Sequence, residues 1–139
     1  MSQVLDLWRT EDQSGNGPEV AEANLRAEGV NGRSELRTGT TCWRCRFRMP
    51  ASIWWLSGLA IHNIDERDVR HHERRLQAVT EAARVLKPGG RQVIADLLWT
   101  RGYAQRLREL GMRDVQQKSL RFWYFSGGGA DLVLARKPA

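Results

Sequence analysis

The sequence is poor in long apolar runs and in cysteine, and both deficits exclude classes of protein. No apolar run approaches the roughly 20 residues that a helix needs to cross a bilayer. The first 30 residues lack the basic-then-apolar pattern of a signal peptide. Two cysteines, Cys42 and Cys45, are too few for a disulfide scaffold. We therefore expect a cytoplasmic protein without a membrane partner.

Acidic residues are also fewer than basic ones, 16 against 22, which gives a net charge of +6. Such an excess of positive charge favours contact with polyanions. One alternative is therefore a nucleic-acid-binding module in which basic and tryptophan side chains contact phosphates and bases. The basic residues concerned are Arg44, Arg46 and Arg48.

A zinc-binding module is a second alternative, because Cys42 and Cys45 have the spacing of a ligand pair. The candidate partners are His62, His71 and His72. Zinc modules of this kind normally contain a second closely spaced pair, and the chain has none. We therefore assign no metal site.

Predicted strands and helices alternate along the 139 residues, which give room for one domain. The predicted strands are residues 4–8, 34–37, 53–61, 91–97, 114–125 and 131–135. The predicted helices are one that begins at Pro18 and ends at Gly29, and those over residues 70–86 and 103–110. Strands 4–8 and 53–61 are apolar enough to be buried. This order predicts an α/β fold, with a mostly parallel sheet, helices on both faces and a C-terminal antiparallel hairpin.

Three ordered stretches resemble the class I S-adenosylmethionine-dependent methyltransferases. They are Leu59-Ala60-Ile61-His62-Asn63-Ile64, the run Arg84-Val85-Leu86-Lys87-Pro88-Gly89-Gly90-Arg91 with Val93-Ile94-Ala95-Asp96, and Leu132-Val133-Leu134-Ala135-Arg136-Lys137-Pro138. The Lys-Pro-Gly-Gly run is the most specific, since in that family it turns the chain from a helix into the fifth strand. The resemblance covers the chain except for residues 40–56, so residues 1–139 are interpreted as part of one Rossmann-like methyltransferase domain.

The resemblance implies S-adenosylmethionine as the cofactor and a small molecule as the methyl acceptor, without nucleic acid. Asp6, at the end of a strand, takes the position of the family's ribose-binding acid, and a carboxylate suits two hydroxyl donors. Leu7 and Trp8 would lie beside the adenine. The full expected set is Asp6, Leu7, Trp8, Ser57 and Leu59 for the cofactor, and His62 and Asn63 near the acceptor. Tyr103, Trp123 and Tyr124 are further candidates for the acceptor side, although packing in the core is the favoured interpretation for them. The sequence does not indicate an oligomeric state.

The sequence departs from the family pattern in two places. It has no counterpart of the family's first strand and its Gly-rich turn, Asp-x-Gly-x-Gly-x-Gly, which approaches the methionine end of the cofactor. In the family that strand lies between the second and fourth strands, so we expect two strands here to lack a partner. We also expect the chain to bind the cofactor weakly.

The second departure is residues 40–56, which we interpret as translated out of frame. In the shifted frame Cys42-Trp43 must give Leu, Met49-Pro50 must give Ala and Trp54-Trp55 must give Val. The remaining codons permit Asp-Met-Leu-Ala-Leu-Pro-Phe-Pro-Asp-Ala-Ser-Phe-Asp-Leu-Val-Val, which is the family's pattern. This reading replaces three arginines by three aspartates and lowers the net charge from +6 to about zero.

Overall fold

The computed structural model describes residues 2–6, 8, 14–38, 52–64, 71–120 and 129–139. These residues fall into two compact units, Met1–Cys42 and Trp43–Ala139, which we describe separately. Residues 39–51, which hold most of the segment proposed to be out of frame, lie outside the described residues. The cysteines and the three arginines of the alternative interpretations lie there as well.

The first unit is a parallel strand pair with one helix. Strand β1 is Ser2–Asp6, helix α1 is Pro18–Ala27, a 3-10 turn covers Asn31–Arg33, and strand β2 is Ser34–Thr38. The strands pair in register, from Ser2 opposite Ser34 to Asp6 opposite Thr38. The predicted ends of α1 are confirmed: Pro18 begins the helix after Gly17, and Gly29 follows it with a φ of 65°.

The second unit contains a four-stranded mixed sheet. Its elements are β3 Ser52–Gly58, a 3-10 turn Ile61–Asn63, α2 His71–Val85, β4 Leu86–Asp96, α3 Thr100–Glu109, β5 Arg113–Leu120 and β6 Ala130–Arg136. The strand order is β3-β4-β6-β5, with β3 and β4 parallel and the other two pairings antiparallel. The predicted α/β class and C-terminal hairpin are confirmed.

The core of this unit lies between the sheet and its two helices. Ile94 and Val133 are neighbours across β4 and β6, and both are fully buried. The buried apolar residues that cluster with them are Ile61, Leu76, Val79, Ala83, Leu86, Tyr103, Ala104, Leu107, Met112 and Ala135. The spacing predicted for α2 is thus confirmed, because Leu76, Val79 and Ala83 all face this core.

The turn from α2 into β4 is fixed by its glycines and by the C-terminal segment. A Cβ on Gly90 would lie 2.8 Å from the carbonyl oxygen of Lys87, so this position excludes a side chain. The ammonium of Lys137 donates to the carbonyls of Ala83, Arg84 and Leu86 over 2.8–3.1 Å, where cations stabilise a helix C-terminus. Two of the stretches that carry the family resemblance therefore meet here.

Two strands predicted to be buried are exposed instead. Val4 of β1 is 39% exposed, and Ile53 and Leu56 of β3 are 62% and 69% exposed. The reason is the pairing: among the described strands, β1 pairs only with β2 and β3 only with β4. An edge strand lacks a neighbour that would cover its side chains. The observed edges agree with the expectation that two strands lack a partner.

Candidate functional site

The carboxyl ends of parallel strands are where α/β folds bind ligands. In this chain each parallel pair has an aspartate at that end, Asp6 on β1 and Asp96 on β4. We call the first group the Asp6 edge (Asp6, Trp8, Asn16 and Thr38). The second is the Asp96 edge (Leu59, His62, Arg75, Asp96 and Trp99). The two groups belong to different units.

Asp6 is half-buried, and one of its oxygens has no partner among the described residues. Its Oδ1 accepts the backbone N–H of Trp8 over 2.8 Å and lies 3.5 Å from the side-chain nitrogen of Asn16. Its Oδ2 accepts no hydrogen bond from the described residues. A carboxylate with a free oxygen at a strand end can accept hydroxyl donors from a ligand. The donor set of a ribose fits this group.

Trp8 lies beside this carboxylate in a strained conformation. Its φ is 54°, a region that side-chain-bearing residues rarely adopt. The indole Nε1–H donates to the Thr38 hydroxyl over 3.1 Å, which fixes the ring against β2. The turn therefore holds an aromatic face next to Asp6, as the expected adenine contact requires. Leu7, the other residue predicted there, lies outside the described residues.

Asp96 is fully buried, and its oxygens accept several N–H groups. Oδ2 accepts the backbone N–H of His62 over 3.0 Å, and Oδ1 accepts that of Leu97 over 2.8 Å. Oδ1 also bonds to the imidazole Nδ1 of His62. Since a carboxylate is an acceptor only, Nδ1 of His62 is the donor and its proton lies on that nitrogen.

The imidazole of His62 is therefore held on one side and free on the other. Its Nε2 has no partner in the described part of the chain, and 14% of the side chain is exposed. Arg75 of α2 donates from Nε to the carbonyl of His62 over 3.2 Å. The same guanidinium lies over the Trp99 ring, 5.2 Å from its centroid. Of the two ring nitrogens, Nε2 is thus the one that the described residues leave without a partner.

Several large apolar side chains of this edge, or next to Asp96 in sequence, are exposed. Leu59, Leu97, Leu98 and Trp99 are all about half-exposed. Leu59 and Trp99 also have φ angles of 50° and 66°, a conformation that costs of order 1–3 kcal/mol in a residue with a side chain. Strain of this kind persists where the surrounding structure imposes it, and it is concentrated at ligand sites.

Tyr103 does not line this surface but lies beneath it. The side chain is fully buried in the core of the second unit. Its hydroxyl has no hydrogen-bond partner among the described residues. Burial raises the pKa of Tyr103 well above its ordinary value, and the nearby negative charge of Asp96 raises it further. The core packing favoured for Tyr103 is therefore confirmed. Trp123 and Tyr124 lie outside the described residues.

A polar group beside the same edge joins α3 to the hairpin. The hydroxyl of Thr100 donates to Asp131 Oδ2 over 2.7 Å, and the amide of Gln117 donates to the same oxygen over 2.8 Å. These two hydrogen bonds, that from Thr100 foremost, lower the pKa of Asp131. The group stabilises the start of β6 and uses its polar atoms internally.

The other predicted site residues are dispersed. Ser57 is half-buried in β3, and Asn63 is half-buried in the 3-10 turn after His62. Neither side chain bonds to His62 or Asp96. Of the predicted zinc ligands, His62 is bound to Asp96. The His72 ring packs against the Trp99 ring, with 6.0 Å between the ring centroids. The described residues contain no group of three potential metal ligands.

Sequence analysis missed Asp96 and Arg75 as site residues. The signal for Asp96 was present, because this acid ends a strand parallel to the one that precedes His62. The carboxyl ends of parallel strands meet at one edge of a sheet. Arg75 carries no such signal, since the charged run around it reads as a solvated helix face. In the structure it is nearly buried.

Solved structures with the same fold are methyltransferases and related enzymes. An O-methyltransferase family protein from Burkholderia thailandensis superposes with a TM-score of 0.73 at 17% identity, over 99% of this chain and 43% of its own. The N-methyltransferase NodS from Bradyrhizobium japonicum WM9, in complex with S-adenosyl-L-homocysteine, superposes with a TM-score of 0.68 at 12% identity. The match covers 99% of this chain and 66% of NodS. The fold is of the methyltransferase type. The chain spans less than half of the first of these structures and about two thirds of the second.

Two further comparisons limit what the fold implies. No protein-family model matches the sequence, and no curated protein sequence matches it. The [4+2]-cyclase SpnF has the same fold, with a TM-score of 0.73 at 12% identity over 99% of this chain and 66% of its own. A shared fold thus does not fix the reaction, which has to be argued from the site.

No described helix has the length and apolar character needed to cross a membrane.

Proposed function

We propose that this chain carries part of an S-adenosylmethionine-dependent methyltransferase that acts on a small molecule. The observation that carries the proposal is Asp6, a half-buried carboxylate with a free oxygen at the carboxyl end of a parallel strand. Its chemistry suits the two hydroxyls of a ribose, and the methyltransferase-type fold supports the same interpretation. When bound, the cofactor supplies a methyl group activated by a positively charged sulfur.

The residues of the first unit that would hold the nucleoside are Asp6 and Trp8. The Asp6 carboxylate would bind the ribose hydroxyls, and the fixed indole of Trp8 offers a face for the adenine. Leu7, Ser57 and Leu59 stay in the proposal as further cofactor contacts. Leu59 is kept because its backbone is strained. Its N–H is already engaged, since it donates to the carbonyl of Ala95 over 2.8 Å.

His62 and Asn63 are proposed as the groups near the acceptor. Their turn follows β3 directly, and His62 is fixed there through Asp96 and Arg75. Transfer of a methyl group depends mainly on positioning, because the nucleophile has to approach in line with the departing sulfur. A rigid polar turn at this edge serves that requirement.

We further propose that these 139 residues bind the cofactor weakly. The printed sequence lacks the Gly-rich turn that approaches the methionine end in the family it resembles. The described residues at the Asp6 edge offer a ribose contact and an aromatic face, without a cationic group for a carboxylate. We expect a dissociation constant above about 100 µM, which corresponds to roughly −5.5 kcal/mol.

Titration with S-adenosylhomocysteine, followed by the backbone amide resonances, tests the assignment. Asp6→Asn should weaken binding roughly tenfold, because a charge-assisted hydrogen bond contributes about 1.5–3 kcal/mol. Glu35→Gln is the matched control, because it removes another carboxylate from the same strand pair. The Glu35 carboxylate already bonds to Arg37 and Gln3. An Asp6→Asn variant that binds as tightly as the parent contradicts the ribose assignment. A low micromolar constant for the parent contradicts only the proposal of weak binding.

Residues 40–56 are proposed to be read out of frame. The proposal rests on the forced codons at Cys42-Trp43, Met49-Pro50 and Trp54-Trp55, all of which agree with the family pattern. The nucleotide sequence of this stretch is the test. We expect the shifted frame to encode the acidic, Pro-Phe-containing run given above. If the shifted frame encodes anything else, the proposal is wrong. The basic segment then again has to be considered as a nucleic-acid-binding module.

A further inference from the structure

Three arginines lie side by side across three neighbouring strands of the second unit. Arg136 of β6 is opposite Arg91 of β4 on one side and opposite Arg113 of β5 on the other. All three are exposed. Residues directly opposite each other share a face of the sheet, with about 5 Å between their Cβ atoms, and like charges in such places repel. We call this group the arginine row.

The described residues do not neutralise the arginine row. None of its members forms an ion pair with them, and Arg91 lies over the Trp54 ring, 5.3 Å from its centroid. Asp114, next to Arg113 in sequence, is exposed and is not paired with it. The three arginines lie outside residues 40–56, so their charge does not depend on the reading frame of that segment. An anionic partner would relieve the repulsion within the row.

An apolar row runs beside the arginine row on the same face of the sheet. Val93, two residues after Arg91 in β4, is paired with Leu134 of β6 and with Leu56 of β3. Because side chains alternate between the faces of a strand, these residues share the face of the arginines. Leu56 is 69% exposed, and Val93 and Leu134 are half-buried. Helices α2 and α3 pack on the opposite face, that of Ile94, and leave this one uncovered by them.

The spacing of the two rows favours one kind of partner. Neighbouring strands are about 4.8 Å apart, so the arginine row repeats its positive charges at that interval. Acidic residues three or four positions apart on a helix are separated by about 5–6 Å, and in an amphipathic helix they can flank a line of apolar residues. A nucleic acid would instead need aromatic faces for its bases, and the Trp54 ring beside the row already contacts Arg91.

We propose that this face of the sheet binds an amphipathic helix of a partner polypeptide, with a line of acidic residues against the arginine row. The helix would lie across the strands, so that its apolar residues contact Val93, Leu134 and Leu56. Burial of apolar area would supply affinity, and the charges would set orientation and specificity. The proposal is independent of the proposed function, since neither row includes a residue assigned to the cofactor or to the acceptor.

Two synthetic peptides of about 16 residues, long enough to form a helix, test the proposal on the complete chain. Both have leucines at positions i, i+4, i+7 and i+11, which form one apolar line. The first has glutamates at i+1, i+5, i+8 and i+12, and the second has glutamines at those positions. In a fluorescence titration at low salt, we expect the acidic peptide to bind about tenfold more tightly. At roughly 1 M salt the preference should fall to about twofold or less, because exposed charges are screened.

Variants separate the arginine row from the overall positive charge of the chain. Arg136→Gln, at the centre of the row, should reduce the preference for the acidic peptide about threefold, the size of an exposed ion pair. Arg108→Gln is the matched control, because it removes the same charge from an exposed position on α3, and it should leave the preference nearly unchanged. Leu56→Ala should weaken both peptides equally. Without peptide, Arg136→Gln should raise the midpoint of thermal unfolding by about 1–2 °C, since it removes two like-charge neighbours.

Several outcomes would overturn the proposal. Equal binding of the two peptides to the parent chain does so without any variant, as does binding of neither. An equal loss of preference in Arg136→Gln and Arg108→Gln would show that only the overall charge matters. Tighter binding of a polyuridine oligonucleotide, of vesicles with anionic lipid or of a second copy of the chain, with the same dependence on Arg136, would assign the face to that partner instead. A lower unfolding midpoint in Arg136→Gln would show that the row is neutralised within the chain, which removes the reason for an acidic partner.

Discussion

Asp6 and Asp96 occupy equivalent places in their two units and have opposite surroundings. Each ends a strand of a parallel pair. Asp6 is half-buried, with one oxygen free of described partners, whereas Asp96 is fully buried and bonds to His62 and Leu97. A carboxylate with a free oxygen can serve a ligand. A fully buried carboxylate whose oxygens both accept protein N–H groups serves the protein, by holding another side chain.

The difference shows why a strand-end acid alone does not identify a ligand site. In the first unit the described part of the neighbouring turn contributes one backbone N–H, from Trp8. In the second, the turn after β3 brings a complete residue, His62, onto the acid of the adjacent strand. At the Asp96 edge the group left for a ligand is therefore the histidine, and at the Asp6 edge it is the acid itself.

The largest expected effect is the loss of the buried acid. Asp96→Ala should lower the free energy of unfolding by about 3 kcal/mol, because it leaves several buried N–H donors without acceptors. Asp6→Ala should cost less than about 1 kcal/mol, since its donors lie near solvent. Urea unfolding at pH 7 measures both. An equal loss of unfolding free energy in the two variants would contradict the difference between the Asp6 edge and the Asp96 edge.

The tyrosine beneath Asp96 should give a pH dependence at the alkaline side. The pKa of Tyr103 is raised in the folded state, so the stability it contributes is complete below the ordinary tyrosine value of about 10 and is lost as the pH rises above it. Tyr103→Phe should be nearly neutral at pH 7, because the hydroxyl has no described partner. The variant should also lose less stability than the parent between pH 9 and 11. Parallel curves would contradict the role assigned to burial.

A smaller acid-side effect should separate Asp131 from Glu35. Hydrogen bonds from Thr100 and Gln117 lower the pKa of Asp131 in the folded state. The stability it contributes is therefore present above the unfolded pKa of about 3.9 and is lost as the pH falls through the lower folded value. Asp131→Asn should flatten the decline of stability between pH 5 and 2. Glu35→Gln, in the first unit, should flatten it less, because Glu35 is held by exposed partners, Arg37 and Gln3.

The smallest effect concerns the strained backbone. Leu59→Asn should raise the free energy of unfolding by about 0.5 kcal/mol, since asparagine tolerates a positive φ better than leucine does. Leu56→Asn, within β3 and with an ordinary backbone, is the control and should not stabilise. Thermal unfolding of the two variants measures the difference. A gain at Leu56 and none at Leu59 would show that exposure, not strain, decides the outcome.

Local signals predicted much of the fold. Gly17-Pro18 and Gly29 marked the ends of α1, and the spacing of Leu76, Val79 and Ala83 marked the buried face of α2. These features depend on residues close in sequence. The exposure of β3 was not predictable in this way, because an apolar strand is buried only where a second neighbour covers it.

The candidate site was predictable only in part, for a related reason. Asp6 and His62 could be chosen from motifs, each within a few residues of a strand end. The bond between His62 and Asp96 spans 34 positions and depends on the register that places Gly58 opposite Ala95. Sequence pattern alone indicates that both residues lie at a sheet edge. Their pairing requires the strands to be adjacent and in this register.

The most direct test of the contrast between Asp96 and Asp6 is which ring nitrogen of His62 carries the proton. Nitrogen-15 chemical shifts of the imidazole should place the proton on Nδ1 in the parent and in Asp6→Asn. In Asp96→Asn the proton should move largely to Nε2, the tautomer that predominates in a free histidine side chain. The same tautomer in all three proteins would show that Asp96 does not position His62, and would contradict the account.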